Sequence, residues 1–345
     1  MPLPASAAFL ATEDDLADRT SPHDDHASGS GNLARSDFAR GLKDGLTRER
    51  CKEIPSSWLY DDLGSSLFEA ITLLPEYGLT RADERVIRRC APELVSLLGA
   101  SPFIAELGSG SARKTRTILS ACLEAGSVDY APIDVSEAAV QACAVNLRPV
   151  EGLRLHPTVG DYLGGLELAL ARREQGHAAL VLFLGSTIGN FSRNQIPDFL
   201  RSIRTLLQPG DTFLLGADLV KPAEVLELAY DDPAGVTSAF NKNLLAHLNA
   251  SFHGNFDLTR FRHVACYNHA ERRIEMFLES LDDQAATLSD LDLRVRFRRG
   301  ERIRTELCHK FKLEELRNFA RGAGFQVVRE WVDQEWPFAE SLWRV

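Results

Sequence analysis

A short apolar run, Phe103-Ile104-Ala105, ends in an acid and turns through two glycines, Glu106-Leu107-Gly108-Ser109-Gly110-Ser111, toward a helical stretch from Arg113 to Cys122. Glycines at a strand-to-helix junction let backbone N–H groups approach a ligand closely. The three-glycine fingerprint of nicotinamide cofactors is incomplete, because Arg113 stands where the third glycine belongs. Asp134 ends the next apolar run, about one strand–helix unit later, where a carboxylate can accept both ribose hydroxyls of a nucleoside. Capping the following helix is its competing job, and Ser136 is an equally good cap. Asp161 in Gly160-Asp161-Tyr162 reads either as a partner for an adenine amino group, with Tyr162 over the ring, or as an ordinary helix cap. Two glycines and an amide follow a fourth buried run in Leu184-Gly185-Ser186-Thr187-Ile188-Gly189-Asn190-Phe191. There a glycine lets a carbonyl approach a substrate amine, and Asn190 can both donate and accept. The plainer reading is a loop capped by Ser192. Glu306 and Cys308 share a strand face with Arg304, opposite Ile303, Thr305 and Leu307, so they front a cavity or water. Periodicity by itself favours water.

These groups need a frame. Strands are expected at 103–107, 129–135, 153–159, 179–184 and 212–217, with helices at 113–122, 137–146 and 195–207 between them. Such alternation means right-handed βαβ units on a parallel sheet, an α/β fold. Ligands bind beyond the carboxyl ends of its strands, where Gly108, Asp134, Asp161 and Gly185 fall. The alternation stops at Pro222. A helical, turn-rich stretch to Arg260 precedes two runs with alternating sides, 274–278 and 302–307, with Arg298-Arg299-Gly300 as a hairpin turn into the second. A helix at 313–323 and strands at 325–332 and 338–343 finish the pattern. The expected division is a disordered tail over 1–36, a helical segment over 37–98, a Rossmann-like domain over 99–221 and 310–345, and an inserted substrate-binding α+β lobe over 222–309.

The 345 residues carry a net charge of -10, which argues against a nucleic-acid partner and suits a small-molecule substrate. No apolar run reaches the ~18 residues of a membrane span, and no secretory leader is visible. The six cysteines, Cys51, Cys90, Cys122, Cys143, Cys266 and Cys308, form no C-x-x-C pair. They point to reduced thiols in a cytoplasm, with no metal site. His23 and His26 in the tail have nothing to hold them as ligands.

The E-x-G-x-G turn resembles the first motif of Rossmann-like, class I S-adenosylmethionine (SAM) methyltransferases, whose sheet closes with a helix and an antiparallel last strand. From about Ile54 onward the chain resembles the SAM-dependent histidine Nα-methyltransferases of ergothioneine biosynthesis. The match runs through Trp58-Leu59-Tyr60-Asp61, Leu74-Pro75-Glu76-Tyr77, Thr80-Arg81, Lys114-Thr115-Arg116, Phe183 to Asn190 and Asp218-Leu219-Val220-Lys221. It continues through Ala229-Tyr230-Asp231-Asp232-Pro233, Phe240-Asn241, Arg273-Ile274-Glu275-Met276, Thr305-Glu306 and Lys310-Phe311.

That resemblance implies methylation of the α-amino nitrogen of L-histidine, to the trimethylated betaine hercynine, with SAM as cofactor and no obligate protein partner. Gly108, Lys114, Asp134, Asp161 and Tyr162 would contact SAM, with Tyr60 between cofactor and amine. The substrate carboxylate would lie between Asn190 and Tyr230, the amine near the Gly185 carbonyl, and the imidazole near Tyr77, Met276, Glu306 and Cys308. Tyr60, Gly185 and Asn190 would do the catalytic positioning. The chain departs from the family at Cys308, where histidine-binding members typically carry Ser, and at Gly78-Leu79, where a Tyr-Pro pair is common. Those departures keep two alternatives in view: methylation of another amino acid such as tryptophan, and SAM binding without catalysis.

Overall fold

The computed structural model describes residues 39–98, 101–148 and 150–345. The expected tail over 1–36 lies outside them. Residues 39–46 are helical (α1), followed by strand Lys52–Glu53 (β1) and helices Asp62–Leu73 (α2) and Gly78–Leu98 (α3). Strand and helix then alternate: Phe103–Leu107 (β2), Thr115–Ala125 (α4), Val128–Asp134 (β3), Glu137–Leu147 (α5), Leu153–Leu155 (β4), Thr158–Val159 (β5), Tyr162–Leu170 (α6), Ala179–Phe183 (β6), Ile196–Leu206 (α7) and Thr212–Asp218 (β7). Helices Ala223–Tyr230 (α8) and Val236–Ser251 (α9) lead into strands Phe261–Asn268 (β8), Arg273–Ser280 (β9), Gln284–Leu288 (β10), Leu293–Phe297 (β11) and Arg302–His309 (β12). Helix Leu313–Gly322 (α10) and strands Gln326–Asp333 (β13) and Phe338–Arg344 (β14) follow.

The main sheet runs β13-β14-β7-β6-β2-β3-β4, with β5 beside β3. Its strands all run the same way except β14, which is antiparallel to both of its neighbours, β7 and β13. Every residue of β2 and β6 is buried, the signature of strands covered on both faces. Ile118, Leu119 and Leu147 pack on one face; Leu166, Phe199 and Leu316 pack on the other. Burying each such side chain stabilises by about 1.5–3 kcal/mol. The strand order reverses at β2, between β6 and β3, and opens a crevice beyond their carboxyl ends.

Glu106 braces that switch point from inside. It accepts hydrogen bonds from Thr115 Oγ1 at 2.6 Å and from the Tyr130 hydroxyl, tying the glycine turn to α4 and β3. Burial pushes its carboxyl from 4.5 up to about 7, against those two bonds. The folded state therefore holds this proton more tightly than the unfolded chain does. Stability from this group is present below about pH 4.5 and is lost as pH rises through about 7. Glu106→Gln is expected to flatten that decline, read as the difference between urea midpoints at acid and alkaline pH.

The second sheet runs β1-β12-β9-β8, and β10 with β11 forms a separate hairpin. Several expectations change here. The 37–98 segment divides: Leu42, Leu46, Ile54, Trp58, Leu59, Ile71 and Tyr77 join the core of the lobe, whereas Ile87 and Leu94 of α3 pack with the main sheet. The segment is not wholly helical, because β1 pairs in parallel with β12 (Lys52 opposite Ile303). The Arg298-Arg299-Gly300 turn exists, with Gly300 at φ +81° and Glu301 N–H donating to Arg298 O, but it makes no hairpin. The strands on its two sides belong to different sheets: β11 pairs with β10, and β12 with β9. Strand β8 has His263 among its buried positions, which interrupts the apolar alternation that would announce it. His263 is satisfied there by Asn241 at 2.8 Å and the Tyr230 carbonyl at 2.7 Å. The expected third strand breaks into β4 and β5 around Pro157, which has no N–H to give a ladder.

Candidate active site

A cavity of roughly 920 Å³ lies between the carboxyl ends of the main strands and the lobe. On the main-sheet side Gly108 has φ +71° and Gly110 φ +49°, so the turn needs residues that tolerate left-handed backbone. A side chain at Gly108 would also meet the Tyr162 ring at 3.5 Å. Asp134 accepts the Gly110 N–H at 3.2 Å and the Ser136 N–H at 3.0 Å, and its carboxylate lines the cavity. Ser136, not Asp134, caps α5, accepting from Ala139 N–H at 3.2 Å. The competing role for Asp134 is thus already filled. Burial raises its carboxyl above the usual range, against the backbone N–H bonds it accepts.

Tyr162 lines the same end, packed edge-on to Phe183 with ring centres 5.3 Å apart. Asp161 caps α6 with one carboxylate oxygen, which accepts Gly164 N–H at 2.7 Å, and the residue stands just outside the cavity lining, next to Tyr162. Lys114 stands outside it too. Its ammonium donates to buried Asp83 at 2.6 Å, and Asp83 also accepts the Gly185 N–H at 3.1 Å. Lys114 therefore braces the loop after β6 from behind.

That loop is tightly held. Gly185 and Ser186 both have positive φ, and Ser186 Oγ accepts the Asp218 N–H at 2.9 Å. A side chain on Gly189 would lie 2.9 Å from the His309 carbonyl, so this glycine lets the loop press against β12. Asn190, at the end of the turn, faces the cavity.

From the lobe come Tyr60, Tyr77, Tyr230, Met276, Glu306 and Cys308, all on the cavity wall. A register shift between Arg304 and Glu306 breaks strict alternation on β12, so Leu307 is only half-buried while Thr305 and Cys308 are buried. Glu306 is therefore no exposed carboxylate. Burial pushes it up to about 7, opposed by the Lys310 charge and a hydrogen bond from Tyr60. It stands opposite Met276 of β9. Cys308 Sγ receives the Tyr230 hydroxyl at 3.2 Å, and the Tyr77 and Tyr230 ring centres are 5.8 Å apart. A side chain on Gly78 would meet the Trp336 ring at 2.2 Å, so this glycine lets an indole occupy the space.

A family model described as "Histidine-specific methyltransferase, SAM-dependent" matches residues 36–345. The chain belongs to that family. Among relatives, the histidine N-alpha-methyltransferase of Mycobacterium tuberculosis is 39% identical over 316 residues, covering 91% of this chain and 95% of that protein. Ergothioneine biosynthesis protein 1 of Neurospora crassa is 30% identical over 81% of this chain and 32% of its own length. The L-tryptophan methyltransferase of Psilocybe serbica is 24% identical, covering 82% of this chain and 86% of that protein.

The residues present fit SAM, the family's cofactor. A half-buried carboxylate with no capping duty, two positive-φ glycines and an aromatic ring converge at one end of the methyltransferase's cavity. Three further groups, Asp218, Lys221 and Lys310, stood in the matching motifs without a role, and they are buried behind the other end. The visible signal was a lysine at a strand end between His309 and Phe311, two residues that both prove fully buried. No helix among the described residues is long and apolar enough to cross a membrane.

Proposed function

We propose that this enzyme methylates the α-amino nitrogen of L-histidine, carrying it to the trimethylated betaine hercynine. The observation that carries this reading is Glu306: a half-buried carboxylate that opens only into the amino-acid end of the cavity, bonded by Tyr60 and opposite Met276. An acceptor held in this way recognises a ring N–H, and more strongly an imidazolium. SAM, when bound, supplies an electrophilic methyl group. Asp134, Gly108 and Tyr162 would hold it, with Lys114 acting through Asp83 and Gly185. Asp161 has a carboxylate oxygen beyond the one that caps α6, with which it would meet the adenine.

Asn190 and Tyr230 would fix the substrate carboxylate, and the Gly185 carbonyl and Tyr60 would aim the amine. Orientation is the protein's main contribution to such a transfer. Burial, and next the neighbouring Glu306, raise the Tyr60 phenol well above its ordinary value, so it stays protonated and serves as a hydrogen-bond donor, not a base. Its free cysteines suit a reducing cytoplasm as the place of action.

Incubating the protein with SAM and the twenty amino acids, followed by mass spectrometry, tests the substrate. Mono-, di- and trimethylated histidine are expected; methylated tryptophan without methylated histidine would overturn the reading. A pH prediction goes with it. Glu306 must be ionised to accept from the ring, so kcat/KM for histidine should fall as pH drops through about 7. A profile flat from pH 8 to pH 6 would remove Glu306 from substrate recognition.

A further inference from the structure

Asp218, the last residue of β7, serves two lysines beneath the amino-acid pocket. One of its carboxylate oxygens accepts from Lys221 Nζ at 2.5 Å and from Trp336 Nε1 at 3.0 Å, and the other forms an ion pair with Lys310 Nζ at 2.9 Å. The side chains of Asp218 and Lys310 have no exposed surface. A buried ammonium is costly unless paired, and one carboxylate against two lysines leaves a positive charge in excess. Lys310 also reaches the pocket wall. Its Nζ donates to Tyr230 Oη at 3.0 Å and to Cys308 Sγ at 3.3 Å, and it lies 4.8 Å from the centre of the Tyr230 ring. Tyr230 in turn donates to Cys308. One ammonium thus ties a buried carboxylate to two groups on the cavity surface.

We propose that Lys310 is a positioning residue for this methyltransferase: anchored on Asp218, it holds the Tyr230 hydroxyl and the Cys308 sulfur in place and supplies a positive charge to the amino-acid pocket. The proposal rests on the reading that histidine occupies that pocket. An excess positive charge behind Tyr230 favours a carboxylate in front of it. The same charge opposes the burial that pushes Glu306 up to about 7, and so keeps more of it ionised at neutral pH.

The titratable groups around this pair are few. Tyr60, Tyr77, Tyr230, Cys308 and Lys310 surround Glu306. Asp218, Lys221, Cys308 and Tyr230 surround Lys310, next to His309, which burial pushes down to about 4 and so keeps neutral. Burial, against the Asp218 charge, brings Lys221 down to about 8, which leaves it mostly charged at pH 7. Of the two groups that oppose the upward push on Glu306, Lys310 and Tyr60, Lys310 is the one that acts through its charge, so removing that charge moves Glu306 upward.

The test compares wild type with Lys310→Met and Lys310→Arg, measuring kcat/KM for histidine against pH and SAM affinity by calorimetry. In Lys310→Met the acid limb should move about one pH unit higher and KM for histidine should rise about tenfold, with SAM affinity within about twofold of wild type. Lys310→Arg keeps the charge, so its acid limb should stay where wild type has it. If Lys310→Met no longer binds SAM, Lys310→Gln, which keeps donors without charge, takes its place. A folded Met or Gln variant with an unmoved acid limb overturns the proposal. So does an Arg variant whose limb moves as far as that of Met, since the effect would then be structural. Failure of the substrate reading looks different: wild type itself would not turn over histidine.

Discussion

Glu306→Ala should lower kcat/KM for histidine by an order of magnitude or more while leaving SAM affinity unchanged. The carboxylate is half-buried, accepts from Tyr60 and faces the part of the cavity lined by Met276 and Cys308. Losing a hydrogen bond to a charged group typically costs ~1.5–3 kcal/mol, which is roughly ten- to a hundredfold in kcat/KM. Truncation also strips Tyr60 of its acceptor, so the aim of the amine suffers together with ring binding. Cys308→Ser, in the same assay, should equal or exceed wild type, because a hydroxyl accepts the Tyr230 and Lys310 donors better than sulfur does. The decisive measurement is kcat/KM for histidine and tryptophan on wild type and both variants. Wild-type preference for tryptophan, or unaltered histidine turnover in Glu306→Ala, would refute recognition of the ring by this acid.

Asp134→Ala should weaken SAM binding by a comparable factor, again from the ~1.5–3 kcal/mol of bonds to a charged acceptor. The helix that follows should survive, since Ser136 caps it independently. What the variant loses locally is the acceptor for the Gly110 and Ser136 N–H groups, both beside the cavity and open to water in its place. A thermal midpoint close to wild type, combined with a ten- to hundredfold weaker Kd by calorimetry, is the expected pair of results. An unchanged Kd would mean that the ribose is held elsewhere.

The cofactor half of the site was legible because it is local. Glycine turn, strand-ending acid and helix follow one another within one βα unit, and each residue type announces its own backbone need. The amino-acid half was legible mainly by resemblance. Alternation on β12 suggested an exposed Glu306, and a register shift at that residue defeated it. Asp161 could not be separated from its capping role by residue type, and the structure gives it that role. Lys310 was opaque for another reason. Its partners Asp218 and Tyr230 lie 92 and 80 positions away in the chain, so nothing near it explains a buried ammonium. Strand β1 is hidden in the same way: two residues carry no periodicity, and what makes them a strand is β12.

Synthesis order gives that last pairing a further meaning. Glu53 leaves the ribosome about 250 residues before Arg304, its partner across the β1–β12 ladder and in an ion pair. At translation rates of about 5–20 residues per second, the apolar side chains of the first segment wait more than ten seconds for their strand. Meanwhile the βα units emerge in an order that lets each new strand add to its neighbours. Until β12 emerges, the apolar side chains of that first segment have no strand to pack on, the interval in which holdase chaperones and aggregation compete for the chain. Slowing elongation after residue 221 would lengthen that exposure, and a circular permutant that starts in the lobe and joins the present ends would shorten it.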